Sequence, residues 1–254
     1  MIANRKDQIR ALLKGIETGD AAATAVVNPN KYIQHNPQTH EGSEGLAALF
    51  KRLSKSSPRV NIVRAFEDGD YVFAHTEYDF ATSRIGFEVF RFEEALAVEH
   101  WDNIQQRQGP NPSGHTMVDG PTEMTDLDRT EANRETVRCF VEDVLIDCRL
   151  EELEHYIDDA SFTQHSPRIV DGLPALRSAL GATPEDGITI EYNQVHRVLS
   201  EGNFVLSVSE GSLGGVHSSF YDLYRIAEGK LVEHWDTIEA IPPRSEWKND
   251  NGKF

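Results

Sequence analysis

Cysteine is nearly missing from this chain. The 254 residues contain two, Cys139 and Cys148, too few for a disulfide scaffold and at no spacing that a metal site uses. They read as inert residues of one helical region. Basic residues are scarce too: 25 Lys and Arg stand against 42 Asp and Glu, a formal net charge of −17. Nucleic acid and anionic membranes demand a basic face, and no Lys/Arg cluster of useful length interrupts the acidity. Neither is an expected partner. No run approaches the roughly 18 apolar residues that span a bilayer, and the charged start, Met1 to Arg10, lacks the apolar centre of a signal peptide. A cytoplasmic protein is the expectation. What is present is ordinary globular material, 39% hydrophobic and 9% aromatic, in a length that suggests two domains.

The chain repeats itself. Tyr32-Ile33-Gln34-His35-Asn36-Pro37 returns as Phe162-Thr163-Gln164-His165-Ser166-Pro167, 130 residues later. Val98-Glu99-His100-Trp101-Asp102-Asn103-Ile104 returns as Val232-Glu233-His234-Trp235-Asp236-Thr237-Ile238, 134 residues later. Phe90-Arg91 matches Tyr224-Arg225, and Glu88 matches Asp222, at that same offset. Such a period far exceeds that of a solenoid unit, so a whole domain is duplicated. The turn-rich run Gly109 to Gly114, followed by Asp119-Gly120-Pro121, marks the join. The expected division is a first domain over 1–108, a linker over 109–125 and a second domain over 126–254.

Both halves read as helices followed by an antiparallel meander, an α+β pattern. Ile9, Leu12, Leu13 and Ile16 recur at helical spacing before Gly19, and Val137, Phe140, Val141, Val144 and Leu145 do so after Asp128, the expected N-cap. Short helices are expected around Asp20 to Val27 and Leu150 to Tyr156, and further ones on Leu46, Leu49, Phe50 and Leu53 and on Leu173, Leu176 and Leu180. The residue before a proline avoids helix, so Gln-His-x-Pro reads as extended. Strands are expected over 61–66, 71–80, 87–92 and 96–105, and over 189–199, 204–210, 219–226 and 230–238. Arg84-Ile85-Gly86 is expected as a turn and Gly211 to Gly215 as a flexible stretch near a pocket mouth.

Side chains alternate along a strand, so the last strand of each half splits by parity. His100 and Asp102 fall with Leu96, Val98 and Ile104. His234 and Asp236 fall with Val232 and Ile238. Imidazole and carboxylate therefore share the more apolar face, where unpaired polar groups are expensive. They must satisfy each other or line a cavity. Glu88 and Asp222 share a parity with Phe90 and Tyr224 on the neighbouring strand, and a rigid pre-proline loop would let His35 and His165 turn inward. Each half then offers two carboxylates and two histidines to one aromatic-lined space, a set suited to proton transfer at a carbon acid. This arrangement requires no metal.

These segments resemble the SnoaL-like polyketide cyclases of the NTF2-like superfamily. The hairpin Phe220 to Asp236 looks like the closing hairpin of that family, Phe87 to Gln105 is a second copy, and both Gln-His-x-Pro segments resemble its early motif. The resemblance covers nearly all of both halves. It implies tandem cone-like α+β folds, each a bent antiparallel sheet wrapped by N-terminal helices around a pocket. It also implies cofactor-independent acid/base chemistry, such as aldol cyclisation or isomerisation of a small carbonyl or polyketide-like compound. Carried over, Asp102 and Asp236 are the acid/base candidates, with His100, His234, His35 and His165 as orienting groups. Glu88, Phe90, Asp222 and Tyr224 are the expected substrate contacts. Members of the family dimerise, which implies an internal pseudo-dimer and leaves further self-association open.

Other readings stand beside these. A His–Asp bond can simply fix a buried strand, Trp101 and Trp235 read as packing, and His35 and His165 serve equally well as turn caps. His75, matched by Val208, reads as an ordinary strand residue. The same pocket would also suit a non-catalytic carrier of a small apolar ligand.

Overall fold

The computed structural model describes residues 4–158 and 162–254. The chain divides into two compact units, one of Met1–Arg107 with Pro242–Phe254 and the other of Gln108–Ile241. The sequence boundaries differ from this division at both ends: residues 109–125 pack into unit 2, and the last thirteen residues, 242–254, pack into unit 1.

In unit 1, α1 (Arg5–Thr18) is capped by Asn4, whose side chain accepts from Asp7 N, and stops at Gly19 in the left-handed region at φ 68°. Its apolar stripe of Ile9, Leu12, Leu13 and Ile16 is buried. Helix α2 (Gly42–Leu53) adds Leu46 and Phe50. The strands are β1 (Ile33–Gln34), β2 (Arg59–Asp68), β3 (Tyr71–Asp79), β4 (Ser83–Glu93) and β5 (Leu96–Gln106), in the order β1-β5-β4-β3-β2. Pairing is antiparallel except that β1 runs parallel to β5. The helices cover one face of the sheet, where Val72, Ala74, Phe90 and Phe92 join Ile9, Leu12 and Phe50 in a single core.

Unit 2 repeats the plan. Helix α3 (Thr130–Phe140) runs on into a wider turn over Val141–Ile146, and α4 (Leu153–Tyr156) and α5 (Leu173–Leu180) follow. Its sheet is β6 (Thr163–Gln164), β7 (Ile190–Glu201), β8 (Phe204–Leu213), β9 (Val216–Ala227) and β10 (Lys230–Ala240), ordered β6-β10-β9-β8-β7. Bulges interrupt β4–β5 at Arg91/Phe92 and β9–β10 at Leu231/Glu233, bending the strands beside the His-Trp-Asp motifs.

Three local expectations are corrected. Asp128 does not cap α3: a short 3-10 turn, Leu127–Arg129, precedes it, and Arg129 holds the cap position without a side-chain bond. Arg84-Ile85-Gly86 lies inside β4, because Ile85 is buried and pairs with Glu77. Gly211 belongs to β8, and only Gly214 and Gly215, at φ 58° and 77°, form the hairpin turn. Among the described residues, no helix is long and apolar enough to cross a membrane.

Candidate functional site

In unit 1 the register sets Glu88 opposite Asp102 and Phe90 opposite His100. All four are buried. His100 Nδ1 lies 3.0 Å from Gln34 Oε1, and Nε2 lies 2.7 Å from Glu88 Oε2. The backbone N–H of Asn36 also donates to Gln34 Oε1, at 2.9 Å, which fixes that atom as an acceptor. His100 Nδ1 therefore donates. The proton on the other side is shared between His100 and Glu88, whose second oxygen accepts from the Tyr78 hydroxyl at 2.6 Å. The Phe90 ring stacks on the imidazole at 4.4 Å.

Unit 2 builds the same chain of bonds. Gln164 Oε1 lies 2.8 Å from His234 Nδ1 and accepts from Ser166 N, while His234 Nε2 lies 3.0 Å from Asp222 Oδ1. Tyr224 takes the place of Phe90, stacked 4.8 Å from His234. The hydroxyl on the carboxylate comes from a different strand. In the register Tyr78 on β3 corresponds to Gly211 on β8, and Val60 on β2 corresponds to Tyr192 on β7. Tyr192 donates to Asp222 at 3.2 Å. The two copies thus exchanged the position of the tyrosine and kept its bond, because a buried carboxylate needs a donor. Gly86 is part of the exchange: a Cβ there would stand 2.6 Å from Tyr78 Cε2 and 2.9 Å from Glu88 Oε1, whereas Phe220 fills the matching place in unit 2. Gly86→Ala should destabilise unit 1 by about 1–3 kcal/mol through overpacking. Urea denaturation checks this, and an unchanged midpoint would refute it.

Asp102 and Asp236 differ in their company. Asp102 Oδ2 accepts from Asn36 Nδ2 at 2.6 Å, and the buried Lys253 ammonium lies 3.7 Å from Oδ1. Asp236 is bonded by Ser166, and Oδ1 of each aspartate is buried with no hydrogen-bond partner. Beside it lies a cavity of about 40 Å³ lined by His234, Tyr192, Tyr224, Phe140, Leu180 and Ile190, among others. Burial pushes both aspartates above the ordinary carboxylate range. Lys253 opposes the rise most at Asp102, and His234 does so at Asp236.

A carboxyl with a higher pKa folded than unfolded takes up protons on folding, so its contribution turns unfavourable as pH climbs past the ordinary range. Asp236→Asn removes that penalty. The variant should gain on wild type at neutral pH, and the gain should shrink as pH falls to about 4. Thermal denaturation at the two pH values tests this, and a gap that does not change with pH would contradict it.

The structure brings Asp102, His100, Glu88 and Phe90 together, and likewise Asp236, His234, Asp222 and Tyr224. It does not bring His35 and His165 to them. Successive residues of an extended strand face opposite ways, so once Gln34 turns in, His35 turns out. His35 stacks on Trp101 at 4.6 Å and bonds Glu99 at 2.9 Å and Gly252 O at 3.0 Å. His165 stacks on Trp235 at 4.5 Å and bonds Glu233 and Thr116 O, each at 2.8 Å. In the Gln-His-x-Pro motif it is the glutamine that reaches the site. Gln34, Gln164, Tyr78, Tyr192, Lys253 and Arg168 were not singled out from the sequence. The parity that placed His100 could have placed both glutamines, but nothing local marks Lys253.

Ligand atoms of Glu88, His100 and Asp102 lie within 4.8 Å of one another, as do those of His115, Asp119 and His165. Either set could hold a cation only by giving up bonds its histidine already makes, His100 to Gln34 and Glu88 and His165 to Thr116 and Glu233.

No protein-family model matches the chain, and no curated protein matches it. Similar solved structures include wild-type IdmH of Streptomyces antibioticus, a provisionally assigned polyketide cyclase (16% identity, TM-score 0.35, covering 39% of this chain and 90% of that one). An NTF2-like protein of Cytophaga hutchinsonii is 17% identical with a TM-score of 0.35, covering 41% of this chain and 92% of its own. An LEH-like epoxide hydrolase of M. tuberculosis is 16% identical with a TM-score of 0.35, covering 43% and 84%.

Proposed function

We propose that the chain is an enzyme that moves a proton on a small carbonyl compound, by aldol, cyclisation or isomerisation chemistry, with unit 2 as the working half. The observation that carries this reading is the cavity beside Asp236 Oδ1, a buried carboxylate oxygen without a hydrogen-bond partner; Asp102 Oδ1 makes no hydrogen bond either, but it faces the Lys253 ammonium at 3.7 Å. Leaving such an atom unbonded costs about 1–3 kcal/mol. As the base, Asp236 takes the proton beside the carbonyl and returns it elsewhere on the same molecule. His234 and Asp222 hold a shared proton nearby, and His234 opposes the rise that burial gives Asp236. These steps need no group beyond the side chains named.

The cavity holds one or two waters at about 40 Å³, while ligand pockets run to roughly 300–1,000 Å³. Substrate therefore enters by moving a wall. Arg168 and Ile169 line this cavity and also an open surface cleft of about 640 Å³, which makes them the wall that moves. A carrier of apolar ligands would use the same lining but has no use for an unbonded carboxylate oxygen.

The test is α-proton exchange in heavy water, followed by NMR across a panel of 1,3-dicarbonyl and polyketide-like compounds. Exchange above the buffer rate is expected for at least one compound. Binding shifts without exchange would replace the enzyme by a carrier, and neither signal would remove both.

A further inference from the structure

The cleft outside the cavity has a chemistry of its own. Its floor and rim include Ile169, Val170 and Ile188, with Val170 39% and Ile188 58% exposed, unusual for large apolar side chains. Two cations, Arg168 and Arg177, stand among them. Arg177 is engaged: it donates to Leu150 O at 2.7 Å and pairs with Glu154 at 3.3 Å. The acid in the cleft, Asp186, is also engaged, tied to the Thr183 backbone at 3.1 Å and to its hydroxyl at 2.6 Å. Arg168 is exposed and, among the described residues, makes no hydrogen bond or ion pair.

Arg52 and Arg84 are likewise exposed without such bonds among the described residues, so it is the position of Arg168 that is specific. It lines both the cleft and the cavity, and its charge reaches Asp236. The matching residue of unit 1 is Gln38, so the cation belongs to the half whose aspartate lines the cavity. Guanidinium prefers planar oxyanions, which it binds through two parallel hydrogen bonds.

Building on the proton-transfer reading of unit 2, we infer that its substrate is an amphipathic carboxylate: a keto acid whose carboxylate is bound by Arg168, whose apolar body lies on Ile169, Val170 and Ile188, and whose carbonyl end reaches Asp236. Pairing Arg168 with the substrate also draws the wall residue toward the ligand, coupling recognition to opening.

The probes are 2-oxo-4-phenylbutanoate and its methyl ester, which share an exchangeable C3 methylene and differ in charge. Exchange at C3 in heavy water and binding by NMR titration are measured for wild type, Arg168→Gln and Arg168→Lys. The acid is expected to exceed the ester in kcat/KM by roughly tenfold, the worth of a charge-assisted hydrogen bond. Arg168→Gln should collapse that ratio through KM, and Arg168→Lys should restore part of it. Equal exchange of acid and ester, with a ratio indifferent to Arg168→Gln, overturns the carboxylate assignment and leaves the proton-transfer reading standing. No exchange by wild type, with acid binding that weakens in Arg168→Gln, keeps the carboxylate site and removes the enzyme reading. Absence of both signals overturns both.

Discussion

Asp236→Asn should lower α-proton exchange by about 10²–10⁴-fold, the usual contribution of a positioned general base, while Asp102→Asn should leave it near the wild-type rate. The two aspartates come from the same motif and sit at the same register, so the contrast isolates their surroundings. Lys253 stands 3.7 Å from Asp102, and Asn36 bonds its other oxygen at 2.6 Å. A carboxylate paired with an ammonium is a poor base. Each aspartate has a raised pKa and one oxygen without a hydrogen bond, but that of Asp102 faces Lys253, whereas Asp236 lines the cavity. Asn is close in shape to Asp and keeps an acceptor for Ser166, so loss of rate without loss of fold is the expected signature. Equal loss in both variants would show that both halves work. Full activity in the double variant would end the acid/base reading.

The second large effect concerns stability. Glu88→Ala removes the acceptor shared by His100 and Tyr78, both buried. Removing one partner of a buried ionic network costs about 3–5 kcal/mol, because the remaining charge and donor lose their compensation. Glu88→Gln keeps an acceptor for one of the two and should cost less. Hydrogen exchange of the β4 and β5 amides measures the difference within unit 1. Protection in Glu88→Ala equal to wild type would mean that water replaces the carboxylate without loss.

The duplication was legible because the motifs repeat at a nearly constant offset. The meander was legible because turns such as Asp68-Gly69 and Glu201-Gly202-Asn203 separate its strands. Parity placed His100 with Asp102 and Glu88 with Phe90 correctly, since alternation holds wherever a strand is regular. At Gln34 and His35 the strand is two residues long, so alternation says that one turns in and the other out without marking the glutamine as the inward one. Strand β4 was drawn too short because Gly86 resembles a turn residue, yet its missing side chain makes room for Tyr78. Lys253 and Asp102 lie 151 residues apart, and Tyr192 and Asp222 lie 30 apart. Such pairings are decided by tertiary packing and leave no local trace.

The chain's repeats and its physical modules do not coincide. The segment after β10 supplies Gly252 O to His35 and Lys253 to Asp102 in unit 1, and the segment after β5 supplies Thr116 O to His165 in unit 2. Each unit is closed by residues encoded beyond the other unit's last strand. A gene cut at residue 108 would keep all five strands of the first sheet and still lose the pieces that cover its outward histidine and quiet its aspartate. Once duplication was followed by this interlacing, the two copies could no longer be separated by a single break in the chain. That gives a mechanical reason for both copies to persist.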